Sequence, residues 1–391
     1  MSQFDGGSKP GFGNGKDADI VCLSHLRWDF VFQRPQHLLT RAAQTRRVFY
    51  VEEPVTTETS PHLDVEVRGN VHVVVPRLPS YIADRTDVHQ RRLIDDLMVR
   101  YRIHKYVLWY YTPMALSFTD HLTPLASVYD CMDELSAFKG ASALLKEREA
   151  ALMRRASLVF TGGQSLYEAK RSQHHNMHPF PSSVDVGHFA QARASASEPP
   201  DQRLIPPPRL GFFGVIDERM DLELLAGIAA ARPEWHFIMV GPVVKIDRAA
   251  LPTSPNIHYF GAKQYGELPG YISGWDVALL PFARNGATRF ISPTKTPEYM
   301  AAGVPVVSTP IQDVVRPYGE QKLVRIAADV ASFVAACEEA MAENAAERLA
   351  RSDGFLRELS WDSTWQRMQR LVDSAVATRR VSSTTASVAA L

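Results

Sequence analysis

Phe290-Ile-Ser-Pro-Thr-Lys-Thr-Pro-Glu-Tyr-Met-Ala-Ala-Gly-Val-Pro-Val-Val307 is the stretch of the 391-residue sequence that says most about its fold. Thr296 is a residue type that favours the N-cap of a helix, and Pro297 suits the first helical position. Gly303 is a natural stop, because glycine readily adopts the left-handed conformation in which helices end. The pattern predicts a short helix that opens directly after Lys295 and is followed by a strand.

The start of this predicted helix has the chemistry of an anion site. Unpaired amides and the positive end of the helix dipole favour negative charge there, and Lys295 adds a full positive charge at the same place. A diphosphate fits such a corner, with Thr294 and Thr296 on either side of the lysine. The alternative interpretation is a structural helix that carries an exposed lysine.

Short apolar runs alternate with helical patterns along the chain. In the first half we predict strands at 19–24, 47–51, 71–75, 106–111, 127–129 and 158–160. In the second half we predict strands at 209–215, 236–240, 257–260, 277–280 and 304–307, with helices at 222–231, 331–349 and 361–376. Alternation of this kind indicates an α/β protein with parallel sheets that helices cover on both faces.

A polar connector separates the two halves. Near Ala192 the composition changes to Ser, Ala, Glu and Pro, and the stretch ends in the stiff segment Ile205-Pro-Pro-Pro208. We therefore predict one domain at residues 18–195 and a second at 205–355. Flexible polar tails are expected at 1–17 and 379–391.

The second half resembles a known enzyme family. Lys295, the run Glu298-Tyr-Met-Ala-Ala-Gly303 and the following Pro-Val-Val are similar to the pattern of the retaining family-four glycosyltransferases (glycosyl transferases group 1) of bacterial polysaccharide assembly. The resemblance covers most of residues 209–320. It implies the GT-B fold, in which two Rossmann-like domains face each other across a cleft, and a C-terminal helix at 356–378 that returns to the first domain.

The resemblance also assigns roles to residues of the donor site. It implies that Lys295 contacts the donor diphosphate and that Glu298 binds the ribose hydroxyls, which suits a carboxylate that accepts from vicinal hydroxyls. Phe290 departs from the pattern, because the family commonly has a glutamate for the transferred sugar at this position. The contacts to the donor sugar are therefore the least defined part of the prediction.

Other turns of the second half resemble the same donor site. The turn Gly211-Phe-Phe-Gly-Val-Ile-Asp-Glu-Arg-Met-Asp221 follows a predicted strand, so Arg219 is the candidate second cation. Gly214 in this turn would let the backbone approach the ligand. Gly241 and Tyr265 lie in two turns that match the loops beside the nucleobase, although plain turns are an equal alternative.

The first half offers candidates for the acceptor side. Trp28 and Arg34 lie in the loop after the first strand, where the ring could stack on a sugar and the guanidinium could bind an anionic group. An internal salt bridge is an equal interpretation of Arg34. Asp130 and Asp133 follow a later strand, and Asp133 is the candidate to orient the acceptor hydroxyl or act as a general base. Capping of the following helix is the alternative for Asp133.

Composition argues against several classes of function. Lys plus Arg and Asp plus Glu each number 43, so no net charge attracts nucleic acid. The three cysteines lack the spacing of a zinc site or a disulfide framework, which indicates a cytoplasmic compartment. No Asp-x-Asp pair follows a predicted strand of the second half, so we expect no metal cofactor. The basic helix at 86–105 could rest on anionic lipid at the inner face of the cell membrane, or simply form a solvated face.

The resemblance implies an enzyme that transfers a sugar, with retention, from a nucleotide diphosphate sugar to a saccharide or lipid-linked acceptor in polysaccharide or glycoconjugate biosynthesis. Helix amides, Arg219 and Lys295 would stabilise the leaving diphosphate. Two alternatives stay open. One is a nucleotide-sugar epimerase of the same fold, and the other is a catalytically inactive GT-B protein, which the phenylalanine at position 290 favours.

Overall fold

The computed structural model describes residues 18–194 and 198–389. The chain divides into two compact units. Within the described ranges, the first unit holds residues 18–130, 147–159 and 368–389, and the second holds 131–146 and 160–367. The predicted N-terminal tail at 1–17 lies outside the described residues.

The first sheet is formed by strands from the N-terminal half of the described chain. Its strands are β1 (Asp19–Leu23), β2 (Val48–Val51), β3 (Val55–Thr57), β4 (His62–Arg68), β5 (Val71–Pro79), β6 (Tyr106–Tyr110), β7 (Ala126–Cys131), β8 (Leu158–Thr161) and β9 (Met177–Pro179), and they take the order β3-β5-β2-β1-β6-β7-β8-β9. β1 pairs in parallel with β2 and β6, so that Ile20 lies opposite Val48 and Val107. β4 pairs antiparallel with β5.

The second sheet is built from parallel strand pairs. Its strands are β10 (Arg209–Phe213), β11 (His236–Val240), β12 (Ile257–Gly261), β13 (Val277–Leu280), β14 (Val306–Ser308) and β15 (Arg325–Ile326), in the order β12-β11-β10-β13-β14-β15. The chain runs outward from β10 to β12 and then returns to β13 on the other side of β10. Ligands of such sheets bind beyond the carboxyl ends of the strands at this reversal.

Helices connect the strands. They are α1 (Arg34–Ala42), α2 (Thr86–Arg100), α3 (Leu116–Thr119), α4 (Leu145–Arg155), α5 (Gln164–Lys170), α6 (Val186–Phe189), α7 (Pro200–Arg203), α8 (Leu222–Ala231), α9 (Leu268–Ile272), α10 (Lys295–Ala302), α11 (Gln312–Val314), α12 (Val330–Ala342), α13 (Ala345–Leu356) and α14 (Trp361–Ala389). The predicted parallel α/β organisation is confirmed.

The core of the second unit explains why its strands could be read from the sequence. All five residues of β10 are buried, as expected for a parallel strand with both faces covered. A side chain at Gly211 would collide with the Trp275 ring, because an added β carbon would lie 1.9 Å from that ring. Glycine here lets the indole pack directly on the strand.

Two predictions about the C-terminal helices differ from the structure. The single helix predicted at 331–349 is wrong, because α12 ends at Ala342 and a new helix starts at Ala345. The Asn344 side chain accepts hydrogen bonds from the N–H groups of Ala346 and Glu347 and so caps α13. α14 continues to Ala389, through most of the segment predicted as a C-terminal tail.

Candidate functional site

The carboxyl end of β10 carries a glycine turn that supports a lysine. Gly214 directly follows β10 and has a φ of +136°. A β carbon at Gly214 would lie 2.2 Å from Cε and 2.6 Å from Nζ of Lys295. A β carbon at Gly241, with a φ of +145°, would lie 1.8 Å from the Gly214 carbonyl oxygen. Both positions therefore require glycine, and the lysine side chain lies on the bare backbone.

Helix α10 places Lys295 at its first position. The expectation that Thr296 caps this helix is wrong: Thr294 is the N-cap residue, and Thr296 lies buried within the first turn. Thr294 already has helical backbone angles, so the helix starts before the predicted cap. Pro297 still falls in the first turn, where its missing N–H leaves no bond broken. Gly303 ends the helix with a φ of +83°, as predicted.

An aromatic cluster fixes the helix to the strand. The Tyr299 hydroxyl oxygen accepts a hydrogen bond of 3.0 Å from the backbone N–H of Phe213, and the two rings meet edge to face at 5.1 Å. The Lys295 ammonium nitrogen lies 5.5 Å from the ring centroid of Phe212 and 5.9 Å from that of Phe213. Cation–π attraction therefore holds the ammonium over the end of β10.

The Lys295 ammonium has no hydrogen bond or ion pair with any residue in the described part of the chain. Burial lowers the pKa of Lys295 below the usual range of a lysine, and the charge of Arg219 lowers it further, while Glu298 opposes this shift. A partly buried cation without an anionic neighbour in contact is poorly compensated. An anionic ligand would supply the missing partner.

Glu298 lies one turn along α10 from Lys295. It is buried, and its Oε2 atom has no hydrogen-bond partner within the described residues. Burial raises the pKa of Glu298, whereas the charge of Lys295 and a hydrogen bond from Thr294 lower it. The Thr296 hydroxyl is likewise buried without a partner among the residues described. The helix start thus has unused acceptor and donor capacity beside the lysine.

Arg219 and Asp133 belong to the same group of charges. Arg219 Nε lies 2.9 and 3.1 Å from the two carboxylate oxygens of Asp217, and its guanidinium lies 5.6 Å from the centroid of the Phe138 ring. Burial acts against the charge of Arg219, but Asp217 outweighs it and raises the pKa of Arg219. The charge of Asp133 acts on both Arg219 and Lys295. Glu134, rather than Asp133, precedes the short 3₁₀ helix at 135–137.

Tyr265 lies against a histidine that the sequence did not single out. The rings of His188 and Tyr265 stack at 4.1 Å, and His188 Nε2 is 3.0 Å from the Tyr265 carbonyl oxygen. His188 is carried by α6, which packs against α10. His188 comes near α10 only because α6 packs against that helix, and a single histidine in a short segment gives no sequence signal of this contact.

The three residues predicted for the acceptor side are buried in the first unit. Arg34 and Asp130 are 3% and 0% exposed, and Arg34 donates to Asp130 over 2.8 to 3.1 Å. Trp28 packs edge to face on Tyr50 at 4.9 Å. The structure therefore favours the internal salt bridge as the interpretation of Arg34.

Phe290 contacts the preceding arginine, and the predicted basic helix α2 has acidic partners. The Arg289 guanidinium lies 5.0 Å from the centroid of the half-buried Phe290 ring. On α2, Arg91 pairs with Asp120, and acidic residues alternate with the basic ones. Contact of this helix with anionic lipid stays a prediction.

Among residues 18–194 and 198–389, none of the helices has the length and hydrophobicity of a membrane span. The side chains described there include no cluster of three or more His, Cys, Asp or Glu that could hold a metal ion.

The segment that carries the lysine site matches a known family. Residues 207–343 match the family model described as Glycosyl transferases group 1. The Bacillus subtilis protein TuaH, named as a teichuronic acid biosynthesis glycosyltransferase, is 25% identical over an alignment of 243 residues, and the match covers 56% of this chain. The match spans 59% of the length of that relative. The predicted resemblance to group 1 glycosyltransferases is confirmed.

Solved structures share the fold over almost the whole chain. A sucrose-phosphate synthase from Thermosynechococcus elongatus superposes with a TM-score of 0.70 at 15% identity, covering 93% of this chain and 100% of its own. An E. coli trehalose-6-phosphate protein bound with UDP-2-fluoro glucose has a TM-score of 0.69 at 12% identity and covers 92% and 99%. These likenesses of fold confirm the predicted GT-B fold class.

Proposed function

We propose that this chain is a glycosyltransferase whose donor is a nucleoside diphosphate sugar. One observation carries the proposal. The Lys295 ammonium lies on the bare backbone of Gly214 at the first position of α10, and it has no ion pair with any described residue. A diphosphate at this point would meet the ammonium and the positive end of the helix together. The match of residues 207–343 to group 1 glycosyl transferases supports the same chemistry.

Glu298 suits the ribose of such a donor. Its Oε2 atom is buried and lacks a partner among the described residues. Vicinal hydroxyls would supply the missing donors, which would relieve the cost of an unsatisfied buried acceptor. The E. coli protein of the same fold that is bound with UDP-2-fluoro glucose supports a ligand of this class.

The chemical step would depend on charge stabilisation. Negative charge grows on the diphosphate as its bond to the sugar breaks, and a fixed cation acts on this growing charge. Lys295 would be this cation, and Asp217 holds the nearby Arg219 in a bidentate ion pair. Protein cations in this role would replace a divalent metal. We expect turnover to survive chelation by EDTA, and complete loss that Mg²⁺ restores would contradict this.

The proposed acceptor and the proposed outcome at the anomeric carbon rest on similarity to other proteins. TuaH is named for teichuronic acid biosynthesis, which supports a saccharide or lipid-linked acceptor in polysaccharide assembly. The resemblance to the retaining family-four enzymes supports transfer with retention. The coupling constant of the anomeric proton in the product, measured by NMR, distinguishes retention from inversion.

A thermal-shift screen of nucleoside diphosphates tests the proposal. A ligand at 100 times its dissociation constant adds roughly 2.7 kcal/mol to the free energy of unfolding, so the correct base should raise the melting temperature clearly. Product analysis with the matching donor follows. Release of a donor whose sugar is epimerised, with no transfer to an acceptor, would indicate an epimerase. Binding of the donor without turnover on any acceptor or water would indicate an inactive binding protein.

A further inference from the structure

A cavity of about 320 Å³ opens in the first unit, outside the lysine site. It lies where the strand order of the first sheet reverses, since β1 has β2 on one side and β6 on the other. Its walls include Ser24, Glu52 and Thr112, which follow the carboxyl ends of these three strands. This is the position at which parallel sheets bind ligands. The volume is at the lower end of ligand pockets and suits a single sugar ring.

The cavity contains a polar side chain with unused hydrogen-bonding capacity. Gln90 on α2 lines the cavity and is only 7% exposed. Its amide has no hydrogen-bond partner in the described part of the chain, and its atoms are not fully enclosed by protein. The Thr112 hydroxyl accepts from the N–H of Met114 at 3.3 Å, which leaves its own proton to donate. A ligand with both donors and acceptors, such as a polyol, would satisfy these groups.

The charge of the lining is of one sign. Glu52, Glu53 and Asp87 line the cavity, whereas no lysine or arginine does so. Glu52 is compensated, because Oε2 lies 3.0 Å from Arg27 Nη1 and Oε1 accepts from the N–H of Trp28 at 2.7 Å. Asp87 has no ion pair with any described residue. Carboxylates accept well from sugar hydroxyls and repel a second anion.

We infer that this cavity binds the uncharged ring of a saccharide and rejects sugar phosphates and uronic acids. That this sugar is the acceptor rests on the proposed function, whereas its binding does not. Gln90 offers an N–H and a carbonyl oxygen to ring hydroxyls, Thr112 donates one proton, and Asp87 accepts. A phosphate or carboxylate on the sugar would meet Glu53 and Asp87, and the residues that line the cavity include no lysine or arginine.

Saturation-transfer NMR on the full chain tests this inference. The probes are methyl α-glucoside, N-acetylglucosamine and galactose on one side, and glucose 6-phosphate and glucuronate on the other. Each is measured with and without the nucleoside diphosphate that raises the melting temperature most. We expect at least one neutral sugar to bind and both charged sugars to bind at least tenfold more weakly.

Variants connect the binding to this cavity. Gln90→Met keeps the length of the side chain without its amide and should lower the affinity for the neutral sugar at least tenfold. The control Gln44→Met, at an exposed glutamine of the same unit, should leave this affinity unchanged. The double variant Glu53→Gln/Asp87→Asn should strengthen glucose 6-phosphate at least threefold. The inference would be overturned if charged and neutral sugars bound equally well, or if Gln90→Met left the affinity for the neutral sugar unchanged.

The same samples separate the two proposals. A chain that binds a nucleoside diphosphate and no neutral sugar contradicts the cavity assignment and leaves the donor site standing. A chain that binds neutral sugar through Gln90 and no nucleotide contradicts the proposed function instead. If Gln90→Met lowers the melting temperature, the relative affinities of the wild type for neutral and charged sugars still test the inference.

Discussion

The Lys295 side chain occupies the space beside Gly214 that the β carbon of any other amino acid would fill. An added β carbon there would lie 2.6 Å from the ammonium nitrogen. The glycine therefore does more than turn the chain at the end of β10, because its missing side chain creates the space that the lysine occupies. A cation is held at a strand end and a helix start at once.

Gly214→Ala should harm both the fold and the site. A φ of +136° disfavours any L side chain, and the methyl group would push the ammonium aside. We expect the free energy of unfolding to fall by about 1–3 kcal/mol in urea denaturation, with weaker binding of nucleoside diphosphate. Gly354→Ala is the matched control, because Gly354 lies inside α13 with open space around it. That control should be neutral or gain roughly 0.5–1 kcal/mol.

Glu298→Gln should change how stability depends on pH. Burial raises the pKa of Glu298 in the folded chain above the value of about 4.3 for an unfolded glutamate. Between these two values the folded state holds more protons than the unfolded state, so the wild type loses stability as the pH rises through this window. The glutamine variant should lack that loss.

The measurement is urea denaturation of both proteins from pH 4 to 8. The stability of Glu298→Gln relative to the wild type should increase with pH across the window. Because Lys295 interacts with Glu298, the comparison is repeated in the Lys295→Met background. Parallel pH profiles of the two proteins would mean that the carboxyl group is not held in a raised-pKa environment.

The ion pair of Arg34 and Asp130 should be essential to the first unit. Arg34→Met would leave the fully buried Asp130 carboxylate without its cation, at a cost of roughly 3–5 kcal/mol. The double variant Arg34→Met/Asp130→Leu should recover most of this loss. Arg92→Met, on the exposed face of α2, should change stability by less than about 0.5 kcal/mol. A stable Arg34→Met protein with weakened acceptor binding would return Arg34 to the acceptor side.

Continuous apolar strands were predicted closely from the sequence. The predicted strands at 236–240 and 277–280 coincide with β11 and β13, because buried parallel strands are apolar throughout. β4 was missed because it lacks the continuous apolar run of the buried strands, and its apolar residues alternate with charged ones as in a strand with one exposed face. The break before α13 was missed because a single asparagine cap interrupts an alanine-rich run that otherwise continues the helical pattern.

The candidate site likewise combines contacts that the sequence spacing predicts with contacts that depend on the folded structure. Lys295 and Glu298 are one helical turn apart, so their proximity follows from the sequence alone. The bidentate pair of Arg219 with Asp217 and the stack of His188 on Tyr265 depend on side-chain directions or tertiary contacts. The burial of Trp28 and Arg34 depends on packing across strands. None of these could be read from spacing.

Lys295→Ala should slow the chemical step. A fixed donor to developing charge is worth about 2.7–4 kcal/mol, so kcat should fall by ~10²–10³-fold at saturating donor. Lys295→Arg should restore only part of the rate, because a planar guanidinium presents its charge in a different geometry. Lys146→Ala, at an exposed lysine of α4, is the matched control and should keep the wild-type rate.

The most direct test of the donor site is calorimetric titration of the preferred nucleoside diphosphate into the wild type and into Lys295→Ala. The loss of one charge-assisted contact of about 1.5–3 kcal/mol predicts that the variant binds at least roughly tenfold more weakly, with its melting temperature unchanged. Equal affinity of the two folded proteins would contradict the placement of the diphosphate at the start of α10.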